Sequence, residues 1–145
     1  MNPTEIRRLV ERYTSVWNTG ELEKIDEICV ANVSVFYPGR PEGIHGCDAV
    51  KKLIAAIRSV IPDLRLSIDE AIVEGEKVAL RWTARGTQKG NWVKHVPATG
   101  KRVEWSGISI YRISDGRIAE ERVEEDLLRL ETQMGVVASV GPATS

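Results

Sequence analysis

Two strand-like runs, Arg102–Ile113 and Arg117–Glu124, are separated only by Ser114-Asp115-Gly116. Asp-Gly between β-prone runs is a strong short-range hairpin signal, because both residues tolerate the positive φ of a tight turn. A hairpin of this length needs neighbouring strands on its sides and a covering layer on one face, which constrains the rest of the chain. Asp126 follows the second run, and Leu127–Met134 reads as a short helix stopped by Gly135.

The preceding residues supply the other elements. Thr4–Asn18 has the helical period, with Ile6, Leu9, Val10, Tyr13 and Trp17 at spacings of three and four and Thr4 as the expected N-cap. A second helix is expected over Glu21–Val30, a short strand over Val33–Tyr37, and a loop over Pro38–Gly43. Asp48–Val60 reads as a third helix with Val50, Leu53, Ile54 and Ile57 inward. From Leu64 the period changes to two, and Lys77–Thr87 places Val78, Leu80, Trp82 and Ala84 on one side. Gln88–Thr99, with Gly90, Trp92, His95 and Pro97, reads as a pocket-edge loop or a bulged strand. Helices first and antiparallel strands later is the α+β pattern. A long sheet curled around few helices makes a cone whose interior is the default ligand site. One domain over residues 1–135 is expected, with a flexible tail over 136–145.

Several function classes are disfavoured. A net charge of −1 gives no electrostatic footprint for nucleic acid or an anionic membrane. Nothing at the N-terminus reads as a signal peptide, and no apolar run approaches transmembrane length, so a cytoplasmic protein is expected. His45 and His95 have no partner at metal-ligand spacing, and Cys29 and Cys47 form no disulfide framework. No phosphate loop, nucleophile elbow or dinucleotide fingerprint is present. The expectation is a chain without metal or cofactor that, if an enzyme, works by acid/base chemistry.

A family resemblance runs through about residues 5 to 135. It is carried by Thr99-Gly100-Lys101, Ser106-Gly107 with Ile110-Tyr111-Arg112, Asp115-Gly116-Arg117-Ile118 with Glu120, Asp126 and Gln133-Met134-Gly135. Weaker matches are Val16-Trp17-Asn18 with Gly20, Pro62-Asp63-Leu64, and Gly86-Thr87 with Gly90. In these the chain resembles the SnoaL-like polyketide cyclases, within the NTF2-like α+β cone folds. The resemblance implies three N-terminal helices packed in a strongly curved, mostly antiparallel sheet, a short C-terminal helix, and a homodimer joined through the outer face of the sheet. It implies a cofactor-free intramolecular aldol condensation on a hydrophobic carbonyl compound, with Asp126 as acid/base. Relatives on the same cone isomerise ketosteroids, open epoxides or dehydrate. A cone that binds or dimerises without turnover is the alternative from a different class.

Each candidate residue has a structural reading beside the functional one. A buried Asp126 carboxyl would have its pKa raised from about 3.9 and could serve as base and then acid; equally, Asp126 could N-cap the last helix. Arg122 could bind an oxyanion or an acidic ligand, or form a surface ion pair with Glu120, which shares its strand parity. Relatives commonly carry Trp at that position. Where relatives often read Gly-Thr-His, this chain has Gln88, which hydrogen-bonds but does not titrate near neutrality; His95 could substitute from a folded-back loop, and His45 could line the cone mouth. Tyr13 and Trp17, four apart on the first helix, could form one aromatic wall. Trp105 could line the pocket as a flat apolar plate, while Trp82 reads as core filler.

Overall fold

The computed structural model describes residues 1–92 and 96–136; His95 and the tail from residue 137 lie outside the described residues. Helix α1 spans Pro3–Thr19, and after a 3₁₀ turn at Leu22–Lys24 comes the one-turn α2, Ile25–Ile28. Strand β1 (Cys29–Tyr37) and strand β2 (Arg40–His45) precede α3 (Cys47–Val60). Strands β3 (Arg65–Glu74), β4 (Lys77–Thr87), β5 (Arg102–Ser114) and β6 (Arg117–Glu125) then lead to α4 (Leu127–Gln133). The sheet order is β2-β1-β6-β5-β4-β3, with β1 and β6 parallel and every other neighbouring pair antiparallel. This is the expected α+β cone, with the sheet curled and unclosed.

The Asp115-Gly116 turn has φ of 52° and 73° at its two central residues, as the hairpin requires. Helix α1 starts one residue early because Asn2, not Thr4, is the cap. The Asn2 side chain accepts from Glu5 N–H while the Glu5 carboxylate accepts from Asn2 N–H, a reciprocal capping box. The expected second helix is shorter, and β1 begins at Cys29, where Cys29 pairs with Ile118 of β6. The expected loop over Pro38–Gly43 is largely strand: Pro41 and Gly43 sit in β2, an edge strand with no neighbour beyond it in the sheet. Edge strands admit Pro because its missing N–H faces outward.

Two apolar clusters make the core. The larger packs α1, α2 and α3 on the inner sheet face, with Ile6, Val10, Ile25, Ile28, Val50, Ile54, Val78 and Leu80 buried. The smaller joins Ile61, Leu64, Trp82, Trp105, Leu130 and Met134 under α4. Trp17 and Val123 contact both clusters. Gln133 fixes α4 to the sheet: its Nε2 donates to Glu104 O at 2.7 Å and its Oε1 accepts from Glu104 N–H at 2.9 Å. Among the described residues no helix is long and apolar enough to cross a membrane.

Candidate active site

The site is prepared by one irregularity in β6. Ile113 pairs with Ile118, but Arg112 pairs with Glu120, so Ala119 is an extra residue on β6. Such a bulge reverses which side chains face inward beyond it. Ile118 therefore shares the interior with Glu121, Val123 and Glu125 rather than with Glu120, Arg122 and Glu124. The register sets Tyr111 opposite Glu121, Ser109 opposite Val123 and Gly107 opposite Glu125.

A cavity of about 800 Å³ lies between the two clusters, within the range of small-molecule sites. All four tryptophans line it: Trp17 from α1, Trp82 from β4, Trp105 from β5 and Trp92 from the β4–β5 connection. Leu53 and Ile57 of α3 form the facing aliphatic wall, and Val123 and Leu127 the near one. The exposed residues Gly39, Arg40 and Asn91 mark its opening. Three carboxylic side chains reach this surface, Glu121, Glu125 and Glu131.

Glu121 is the deepest, 6% exposed. Its Oε1 accepts from the Tyr13 hydroxyl at 2.8 Å, and Tyr13 meets Tyr111 edge to face at 5.7 Å. Burial raises the Glu121 pKa, opposed by hydrogen bonds from Ser109, Tyr13 and Tyr111. Burial, and next the neighbouring Glu121, raise both tyrosines, so their hydroxyls remain donors. The Trp82 indole N–H donates to Ser109 Oγ at 3.1 Å, which ties this network to the cavity wall.

Glu125 is half-buried at the end of β6. Burial pushes its carboxyl up to about 7; the Trp105 N–H, donating to Oε1 at 3.1 Å, pulls it down, and Glu121 adds a smaller upward push. Gly107 stands directly opposite, so no side chain crowds it from β5. A carboxyl balanced between its two forms near neutral pH is suited to take a proton and return it. Glu131, one helical turn after Leu127, shares that residue's cavity-facing side of α4 and accepts from the Trp92 N–H at 3.4 Å.

The sequence-derived candidates are dispersed by comparison. Asp126 is exposed, does not line this cavity, and accepts from Arg129 N–H at 3.0 Å, capping α4. Of its two readings the geometry is that of the cap. Arg122 points to the outer face because of the bulge. There it pairs with Glu120 at 2.8 Å and lies over the Phe36 ring at 4.4 Å, so the interior placement of Arg122 is not met. His45 is exposed on β2, its Nδ1 2.9 Å from Ser34 Oγ and its Nε2 3.1 Å from Glu42 O, away from the cavity. Gln88 is fully buried but behind the wall. Its Nε2 donates to Gly90 O and Pro97 O, and its Oε1 accepts from Thr99 Oγ1, so it shapes the β4–β5 connection. Tyr13 adjoins Trp17 as expected but does not reach the cavity surface; it stands behind Glu121. Trp17 and Trp105 do line the cavity, and Trp82 both fills core and faces it. His95 lies outside the described residues.

Glu121, Glu125 and Glu131 were missed by sequence reasoning, whereas Trp92 lies in the segment read as a pocket-edge loop and does line the cavity. The available signal was Ile118 and Val123, two apolar residues at an odd spacing in one strand, which can both face inward only across a bulge. The two placements separate in one experiment. Asp126→Ala is expected to cost about 1 kcal/mol as a lost helix cap and to leave turnover intact. Urea denaturation and a turnover assay together check it.

A family model for SnoaL-like polyketide cyclase matches residues 7–134. A search of the curated proteins found no match. Among solved structures, the chain is 29% identical to TsrD from Streptomyces laurentii, covering 94% of this chain and 99% of that one with a TM-score of 0.84. It is 25% identical to IdmH from Streptomyces antibioticus, described as a candidate polyketide cyclase, over 90% of this chain and 99% of that one, TM-score 0.79. It is also 25% identical to AclR from Streptomyces galilaeus, described as a candidate hydroxylase, over 97% and 87%, TM-score 0.85. The fold is NTF2-like, and this chain belongs to the SnoaL-like polyketide cyclase family.

Proposed function

We propose that this protein is a cofactor-independent cyclase that closes a ring by intramolecular aldol condensation of a hydrophobic carbonyl compound, with Glu125 as acid/base. The observation that carries this is a single carboxyl, raised to about 7, on the wall of a tryptophan-lined cavity. Ionised Glu125 removes a proton from the carbon next to a carbonyl. The resulting enolate carbon attacks a second carbonyl of the same molecule, forming the ring C–C bond. Glu125, now protonated, returns that proton to the new alkoxide, so charge and atoms balance with no other reactant. Trp105 holds the carboxyl through Oε1, leaving Oε2 for the substrate.

Two rivals separate on the same parts. A binding module without turnover would not need a carboxyl raised towards neutrality, and the raised Glu125 favours catalysis. An epoxide-opening relay needs an Arg between two acids. Among the described residues the one basic side chain on the cavity is Arg40, engaged with Glu42 at 3.3 Å. The test is incubation with aromatic poly-β-ketone esters, followed by mass spectrometry and NMR. An isomer of unchanged mass with a new ring supports the proposal. A shifted double bond without ring closure assigns isomerisation instead, and tight binding without any product overturns the catalytic reading.

We further propose that two copies pair through the outer sheet face. Ile72, Ala79 and Ile110 lie side by side across β3, β4 and β5, with Ile108 next along β5. Ile108 and Ile110 are 49% and 48% exposed. Charges of both signs surround them, including Lys77, Arg81, Arg112, Glu120 and Glu124, so a two-fold copy could set opposite charges together. Ile110→Glu is expected to convert a dimer to a monomer in sedimentation velocity; a wild-type monomer at micromolar concentration overturns the pairing.

A further inference from the structure

The cavity's ionisable groups are one-sided. Three acids reach its surface, and among the described residues Arg40 is the one base, already paired with Glu42. Glu121 is satisfied by its tyrosine network, and Glu125 keeps one oxygen on Trp105. Glu131 is the least accounted for. Among the described residues its one side-chain partner is the Trp92 indole at 3.4 Å, a long bond, and its second oxygen is open to solvent. It also sits in the last turn of α4, where the helix dipole disfavours a negative charge and no basic residue of that turn offsets it. A carboxylate beside an indole, in an apolar cavity near its opening, is the arrangement that holds an organic cation. The acids are too spread for a metal: among the described residues no three His, Cys, Asp or Glu come close enough to share an ion. Glu121 and Glu125, four residues apart on one strand, stand about 13 Å apart along it.

We propose that the ligand of this cavity carries a basic nitrogen, an ammonium or a protonated ring nitrogen, held by Glu131 beside Trp92 while its carbonyl end reaches Glu125. The inference rests on the reading of the cavity as a substrate site and adds the charge class of that substrate. The same groups disfavour a ligand with a free carboxylate, which would meet three acids in a water-poor pocket. Glu125 is left free for chemistry, because the nitrogen is anchored one wall away on α4.

Three flat tricyclic probes of similar size separate the charge classes: 9-aminoacridine, a cation at neutral pH; anthrone, neutral; and 9-anthracenecarboxylate, an anion. Calorimetric titration of the full chain at pH 7 is expected to give the cation at least about tenfold tighter binding than the anion, roughly the worth of one charge-assisted hydrogen bond. In Glu131→Gln, whose fold is checked by circular dichroism, the preference for aminoacridine over anthrone is expected to fall about tenfold. Equal binding of anion and cation, or an unchanged preference in Glu131→Gln, overturns the proposal. If anthrone and the carboxylate bind but aminoacridine does not, the charge assignment fails and the cyclase reading stands. If none of the three binds, both fail.

Discussion

Replacing Glu125 with Gln is expected to lower turnover by about 10²- to 10⁴-fold, the usual worth of a positioned acid/base, while ligand binding persists. Gln keeps an oxygen for the Trp105 N–H and roughly the same volume, so the cavity wall is preserved, but it cannot accept a proton from carbon. The pH dependence supplies a second readout. In the wild type the rate is expected to rise as pH passes through about 7, where Glu125 becomes the carboxylate. In the variant that rise is expected to disappear. Stability is expected to move the other way. The folded-state pKa lies above the reference value of 4.5, so the unfolded chain gives up this proton first as pH rises. Below about 4.5 both states hold the proton and the group has no effect. Between 4.5 and 7 the folded state is progressively disfavoured, and above 7 the full cost of an ionised carboxyl in the cavity is present. Glu125→Gln removes that cost, so the variant is expected to be more stable than wild type at pH 8, on the order of 1 kcal/mol, and equal to it near pH 4. Chemical denaturation at the two pH values checks the sign. A variant as active as wild type, or one less stable at pH 8, would remove Glu125 from this role.

The second large effect is expected at Gly107. A Cβ there would run into the Trp82 indole and come within 2.8 Å of Glu124 O. Neither obstacle yields easily. The backbone of β5 is paired on both sides, Gly107 with Trp82 of β4 and with Glu125 of β6. Trp82 is held by its bond to Ser109 and by the cluster under α4. Gly107→Val is therefore expected to cost about 3 kcal/mol, at the upper end for overpacking, and to lower the melting temperature by roughly 10 °C. Any folded fraction is expected to bind ligand weakly, because a displaced Trp82 intrudes on the cavity opposite Glu125. Differential scanning calorimetry with a binding titration tests both parts. A variant with wild-type melting would show that β5 can shift and that the close approach is not a constraint.

Gly107 was legible in the sequence only as part of a motif; why Gly stands there depends on Trp82, 25 positions earlier. The same division holds across the molecule. The Asp115-Gly116 turn, the period of α1 and α3, and the alternation of Val78, Leu80, Trp82 and Ala84 are local properties, set by backbone sterics and apolar spacing within one element. They sufficed for the hairpin, the α+β class and the inward faces of α1, α3 and β4. The site did not follow, because a strand's parity is a local rule that a single extra residue reverses. Ala119 has no signature of its own as a bulge. It becomes one only when β5 pairs across it, placing both Ile118 and Val123 inward, and with them Glu121 and Glu125. Asp126, one residue past Glu125, is the more conspicuous acid in the sequence, yet β6 ends before it and its carboxylate turns to the free N–H groups of α4. Secondary structure and fold class were thus written in the local order of residues. Which carboxyl faces the cavity was decided by strand register, a property of two chains of residues brought together rather than of either one alone.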